Sequence, residues 1–194
     1  MSELRALMEL LWMLMTDLGT GPLIVLLLIA AVIDWRTMRI PNWLTAGGMA
    51  WGLLYNATHD TSIAAGLGIS AAGLATGLAL LLPLYLLRVM GAGDVKLMAA
   101  VGAVIGLPGV LHAVLWSFIV GGVAAIGYAL SLRMSRRMAS NVAAIVQSMT
   151  FAVLVGQRPT PALAGRASVG KLPYALSIAG GTISWLIARQ LGFV

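Results

Sequence analysis

Long charge-free apolar runs alternate with short polar breaks along the whole chain. The runs cover residues 18–33, 40–58, 61–87, 97–132, 138–157 and 172–188. Most approach or exceed the roughly 20 residues that a helix needs to cross a bilayer. Pro22 falls in the opening turn of the first run, where a missing N–H is tolerated. The break "DWRTMRIPN" follows; there Pro41 stops one helix and Asn42 can cap the next. A second span is expected over about 42–57, then the polar turn "THDTS", then a third span over 63–87. The run 97–132 is too long for one crossing. Gly106, Pro108 and Gly109 divide it, which predicts a helical hairpin of spans four and five. Span six starts near Pro173 in "KLPYALSIAGGTISWLIA" and ends at Arg189. Residues 4–15 are apolar nearly all round but short, so they read as an interfacial helix or an extension of the first span. Small residues recur closely in "AAGLGISAAGLATG", as they do where membrane helices pack tightly.

Composition agrees with the pattern. Of 194 residues, 60% are hydrophobic and 9% charged, against about a quarter charged in soluble domains. The fold class expected is therefore all-α: a polytopic membrane helical bundle of about six transmembrane helices. No polar stretch is long enough for a second domain, so residues 1–194 read as a single membrane-embedded domain. The net charge of +6 comes from basic residues scattered singly beside apolar runs. That placement does not suggest nucleic acid, so no nucleic-acid partner is expected, and it points to topology control and contact with anionic lipid heads. If 138–157 stays at the surface, the loops at 35–41, 88–96 and 133–171 share one side and hold ten of the twelve Lys/Arg. The positive-inside rule then makes that side cytoplasmic, with 133–171 a cytoplasmic or interfacial segment and the last span at 172–189. The opening residues have mixed charges and do not resemble a secretory signal. There is no cysteine, which excludes disulfides, thiol catalysis and cysteine zinc sites.

Two carboxylates stand out among six acidic residues. Asp34 ends the first apolar run, and Asp94 in "GAGDVK" opens the fourth. The topology brings both to one depth on one face. Ionisable groups there are costly and usually face a protein interior or a water-filled cavity. Each has a simpler reading: Asp94 as the cap of a helix beginning at Val95, Asp34 as a partner of Arg36 or Arg39. Taken together they suggest a dyad. Two close carboxyl groups in a poorly solvated site do not both ionise easily, so one can take a proton from water while the other donates to a peptide carbonyl. Gly91 and Gly93 would let the backbone turn beside a substrate or a neighbouring helix, where a Cβ would obstruct approach. Lys96 either tunes the local field or pairs with lipid phosphate. "GAGDVK" has neither the spacing of a phosphate loop nor the third glycine of a dinucleotide fingerprint. His59 and His112 are isolated, so no metal and no cofactor are expected. "NAT" at 56–58 matches a glycosylation acceptor, a pattern short enough to occur by chance.

At these residues the chain resembles a known family. "DWRTMRIPNWLT", followed about sixty residues later by "GAGDVKLMAAVG", is similar to the type IV prepilin peptidases, intramembrane aspartic proteases of the GxGD type. The likeness covers roughly residues 26–127. It implies that Asp34 and Asp94 are catalytic and that Gly91 and Gly93 form the glycine turn. "KLPY", with Pro173 and Tyr174, resembles the start of the family's last helix. Larger members carry a region with paired CxxC motifs linked to zinc binding and methylation. This chain has no cysteine and looks like the minimal form associated with tight-adherence (Flp-type) pili, so methyltransferase activity is not expected. The resemblance implies a multi-pass protein of the bacterial inner membrane with its site facing the cytoplasm. It also implies a prepilin substrate, membrane lipids and pilus assembly machinery as partners. Archaeal preflagellin peptidases are related, and the resemblance leaves that substrate class open. The rival from another class is a proton- or cation-coupled transporter using the same two aspartates. It calls for broken helices near the midplane and repeat symmetry, neither of which the sequence displays. A structural assembly subunit would tolerate loss of both carboxylates.

Overall fold

The computed structural model describes residues 2–131, 143, 147 and 173–193. All of its described elements are helices: α1 (Ser2–Thr16), α2 (Thr20–Thr37), α3 (Asn42–His59), α4 (Ile63–Leu86), α5 (Ala92–Ser131) and α6 (Tyr174–Gln190). The segment 133–171, expected at the cytoplasmic face or the interface, lies outside the described residues apart from 143 and 147. Two compact units divide the chain, Met1–Gly121 with Pro173–Val194, and Gly122–Leu172. Of the second, residues 122–131 are helical, as are 143 and 147. The first holds α1 to α4, α6 and most of α5.

α1 is a helix in its own right and not an extension of the next. The chain breaks at 17–19, where the Asp17 carboxylate takes the Thr20 N–H at 2.8 Å and the Thr20 hydroxyl at 2.8 Å and so satisfies a free donor of the first turn of α2, whose cap position is Gly19. Leu14 anchors α1 by packing with Ile24, Trp185 and Leu186. α2 then runs to Thr37, four residues beyond its apolar run. It ends at Met38, in left-handed conformation (φ 52°, ψ 32°), whose N–H bonds the Asp34 carbonyl at 2.8 Å. Asp34 therefore lies inside the last turn of α2 and not after it. α3 and α4 occupy the spans expected of them.

α5 is broken at Gly106 (φ 74°, ψ 179°) into limbs over 92–105 and 107–131. Gly77 of α4 lies against both the Met98 carbonyl and the Val110 side chain. In one straight helix those residues would be about 18 Å apart, so the limbs fold back on each other as the expected hairpin. The first limb is the centre of the bundle. Val95, Leu97, Met98, Val101 and Val104 are each at most 6% exposed, which is why its sequence is apolar all round and not on one stripe.

The turn between the limbs leaves carbonyls to satisfy, since Pro108 has no N–H for Val104 and Gly106 interrupts the ladder. Neighbouring helices supply the donors, as membrane folds require. The Asn56 amide of α3 donates to the carbonyls of Ala103 (3.0 Å) and Val104 (3.2 Å). The Ser70 hydroxyl of α4 also donates to Ala103, at 2.7 Å. Asn56 is thus a structural residue turned into the bundle. Replacing it with leucine should cost about 1–3 kcal/mol, because it strands acceptors where little water reaches. Thermal unfolding in detergent would register this; an unchanged midpoint would mean that other donors serve. The opposite sign is expected at Thr182 of α6, which is 0% exposed with no partner for its hydroxyl among the described residues. Thr182→Val removes an unpaired buried hydroxyl and should raise stability by about 1 kcal/mol. A lower midpoint would reveal a partner for that oxygen.

Among the described residues three stretches are long and apolar enough to cross a membrane by length and composition: Thr20–Thr37, Ile63–Leu86 and Ala92–Tyr128, the last being the folded hairpin. α6, at 17 residues, is shorter. α3 is diluted by Asn56, Thr58 and Tyr55. Both pack within the same helical bundle.

Candidate active site

The alternating direction of the helices gathers the C-terminal ends of α2 and α4 with the N-terminal ends of α3, α5 and α6. Both singled-out carboxyl groups lie there. Asp34 and Asp94 are 6% and 7% exposed and close enough for the charge of one to act on the other. They lie sixty positions apart, and the chain between them runs out along α3 and back along α4, which pack on each other.

Asp94 is the third residue of α5, and its Oδ2 accepts the Gly91 N–H at 3.0 Å. This is the backward reach of a capping box. The helix begins at Ala92, three residues before the Val95 start expected, so Asp94 does not itself occupy the cap position. A Cβ on Gly91 would crowd that same oxygen at 3.2 Å. A Cβ on Gly93 would press on Ile40 at 3.0 Å, in the loop before α3. The glycines here let one carboxylate curl back on its own helix and one loop approach it.

Asp34 is held differently. Its Oδ2 accepts the Ala175 N–H at 3.2 Å, from the first turn of α6. Pro173, buried, occupies the cap position of α6 in extended conformation. Tyr174, 37% exposed, lies within electrostatic reach of Asp94. Pro41 occupies the cap position of α3, and no side chain caps that helix. The expectation that Asn42 caps it is corrected. Asn42 is the first helical residue, and its Oδ1 instead accepts the Lys96 ammonium at 2.9 Å. That bond ties α3 to α5 and gives Lys96 a protein partner where lipid phosphate was one of two readings. All nine residues singled out in the sequence thus fall at one end of the bundle. Ala175 and Ile40 were missed: one contributes only a backbone N–H, the other only bulk, and neither has a signal in its side-chain type.

The amino ends of α3, α5 and α6 carry partial positive charge, which offsets the repulsion between two buried carboxyl groups. Around them, Arg36, Arg39 and Arg88 are exposed, as are Trp35 and Trp43 at 65% and 68%. Cations interleaved with tryptophan suit a membrane–water boundary. A groove of about 440 Å³ along α2 is lined by Pro22, Val25, Ile29 and Leu44 among others. It includes neither carboxylate. Paired carboxyl groups of this kind can activate water and protonate a leaving group with no side-chain nucleophile.

Residues 22–126 match the profile of the type IV leader peptidase family. The match takes in most of α2, all of α3 and α4 and most of α5, and so both aspartates, but not α6. No curated protein and no solved structure matches the chain. With more than half of its 194 residues matched, this all-helical membrane protein belongs to the type IV leader peptidase family.

Proposed function

We propose that the protein is an aspartic endopeptidase that removes the leader of a type IV prepilin of the tight-adherence (Flp) kind, with Asp34 and Asp94 as its catalytic pair. The observation that carries this reading is that two buried carboxyl groups from distant parts of the chain lie within electrostatic reach of each other at one cluster of helix ends. One carboxylate takes a proton from water, and the resulting hydroxide attacks the scissile carbonyl. The protonated partner donates to the carbonyl oxygen. Collapse of the tetrahedral intermediate breaks the C–N bond, and a proton passes to the departing amine. Gly91 and Gly93 keep the backbone low beside the peptide, while Pro41, Asn42, Lys96, Pro173 and Tyr174 shape the rim.

The reading places the site at the cytoplasmic face of the inner membrane. Its support is the exposed Arg36, Arg39 and Arg88 at the site's end of the bundle, by the positive-inside rule. A substrate could then keep a charged leader in the cytoplasm and its apolar helix in lipid, with the bond at their junction. Lipids and the assembly machinery are the further partners it implies. Methyl transfer has no place in it.

The test is co-expression with a small prepilin and mass measurement of the pilin, which should lose its leader. Cleavage by the purified protein should also survive thorough chelation. Among the described residues no three His, Asp or Glu side chains group as metal ligands, and the mechanism assigns a metal no step. Activity lost to chelator and restored by zinc would overturn the aspartic mechanism.

A further inference from the structure

We infer that the start of α6 is the positioning element of Asp34, with the Ala175 N–H holding that carboxyl group in its working orientation. The inference rests on the proposed catalytic role of Asp34 and adds to it a residue outside the family-matched stretch 22–126.

The two carboxylates solve different problems. Asp94 lies at the amino end of its own helix, where partial positive charge favours an anion, and Gly91 three residues away supplies its N–H. Asp34 lies in the last turn of α2, at the end that disfavours negative charge. It is also buried. Its own helix therefore offers it nothing, and the compensating donor comes from 141 positions along the chain.

Ala175 is suited to that task. It is the second residue of α6, so its N–H has no helical carbonyl to bond. It is 0% exposed, so water does not compete for the bond. Pro173, extended at φ −69° and ψ 104°, sets the angle at which the helix starts. The bond engages Oδ2 and restrains rotation of the carboxyl group, leaving Oδ1 for chemistry. A catalytic group held loosely loses rate even when it is present.

The most direct test removes that N–H and keeps the side chain, at the cost only of a weaker acceptor at the Tyr174 carbonyl. Lactic acid incorporated in place of Ala175 keeps the methyl group and converts the amide to an ester. A hydrogen bond to a charged group is worth enough that kcat should fall about 10- to 100-fold, with KM near that of the parent and the protein still folded at the assay temperature. Ala175→Gly, which keeps the N–H but loses a buried methyl group, should keep more of kcat than the 175 ester. The same ester placed at Ser177 controls for general weakening of the helix and should be nearly silent. A parent-like kcat in the 175 ester, or a loss matched by the 177 ester, would overturn the inference. Asp34→Asn separates it from the reading beneath. If that variant still cleaves, the catalytic role of Asp34 fails; if it is dead while the 175 ester is fully active, only the positioning role fails.

Discussion

Asp34→Asn and Asp94→Asn should each lower leader cleavage by on the order of 10³-fold or more, while the protein inserts and melts as before. The loss is that of a proton-transferring group, commonly about 10²–10⁴-fold, compounded because the two carboxyl groups act as one unit. For the same reason the double variant should be little worse than either single one. The fold should survive because asparagine keeps the shape and the accepting oxygen. At position 94 its Oδ1 can still take the Gly91 N–H now bonded at 3.0 Å. At position 34 it can still take the Ala175 N–H now at 3.2 Å. Cleavage of a co-expressed prepilin, scored beside a detergent melting curve, reads both quantities. Full cleavage by either variant would remove that residue from the mechanism. Loss of ion flux with cleavage intact would favour a transporter instead.

Gly102→Leu should cost at least about 3 kcal/mol and abolish activity with it, though it touches neither aspartate. Gly102 on the central limb of α5 and Gly73 on α4 meet backbone to backbone: a Cβ on either would collide with the carbonyl of the other. Overpacking a close-packed core costs about 1–3 kcal/mol when side chains can shift, and here the obstacle is main chain on both sides. Separating α4 from α5 also displaces Asp94, about two turns along the same limb. Gly68→Ala on α4 is the counter-case. Nothing lies within 4 Å of a Cβ there, so the change should be neutral or gain up to about 1 kcal/mol from helix propensity. A Gly102→Leu variant that melts and cleaves like the parent would mean that the helices do not meet at those glycines.

The sequence by itself determined the class and the ordering of the elements. Charge-free runs interrupted by Pro41, by "THDTS" and by Gly106 with Pro108 are enough to place α3, α4 and the hairpin of α5, because a membrane helix must be apolar over its length and needs a break to turn. Asp34 and Asp94 were legible for the same reason, since a carboxylate at the end of an apolar run is costly unless something uses it.

Only the tertiary structure decided how those residues are held. The polar stretch after Ile33 reads as a loop, yet α2 continues through it to Thr37, because charged residues end an apolar run without ending a helix. Asn42 has the chemistry of a cap, but its side chain is taken by Lys96 from another helix. Asn56, in a chance glycosylation pattern, turns inward because a distant break in α5 exposes carbonyls beside it. Gly68 and Gly73 look alike in one small-residue stretch, and packing alone separates the open position from the crowded one. The donor to Asp34 is a backbone N–H. Every residue but proline has one, so no pattern of side chains could single it out; the folding of α6 against α2 does.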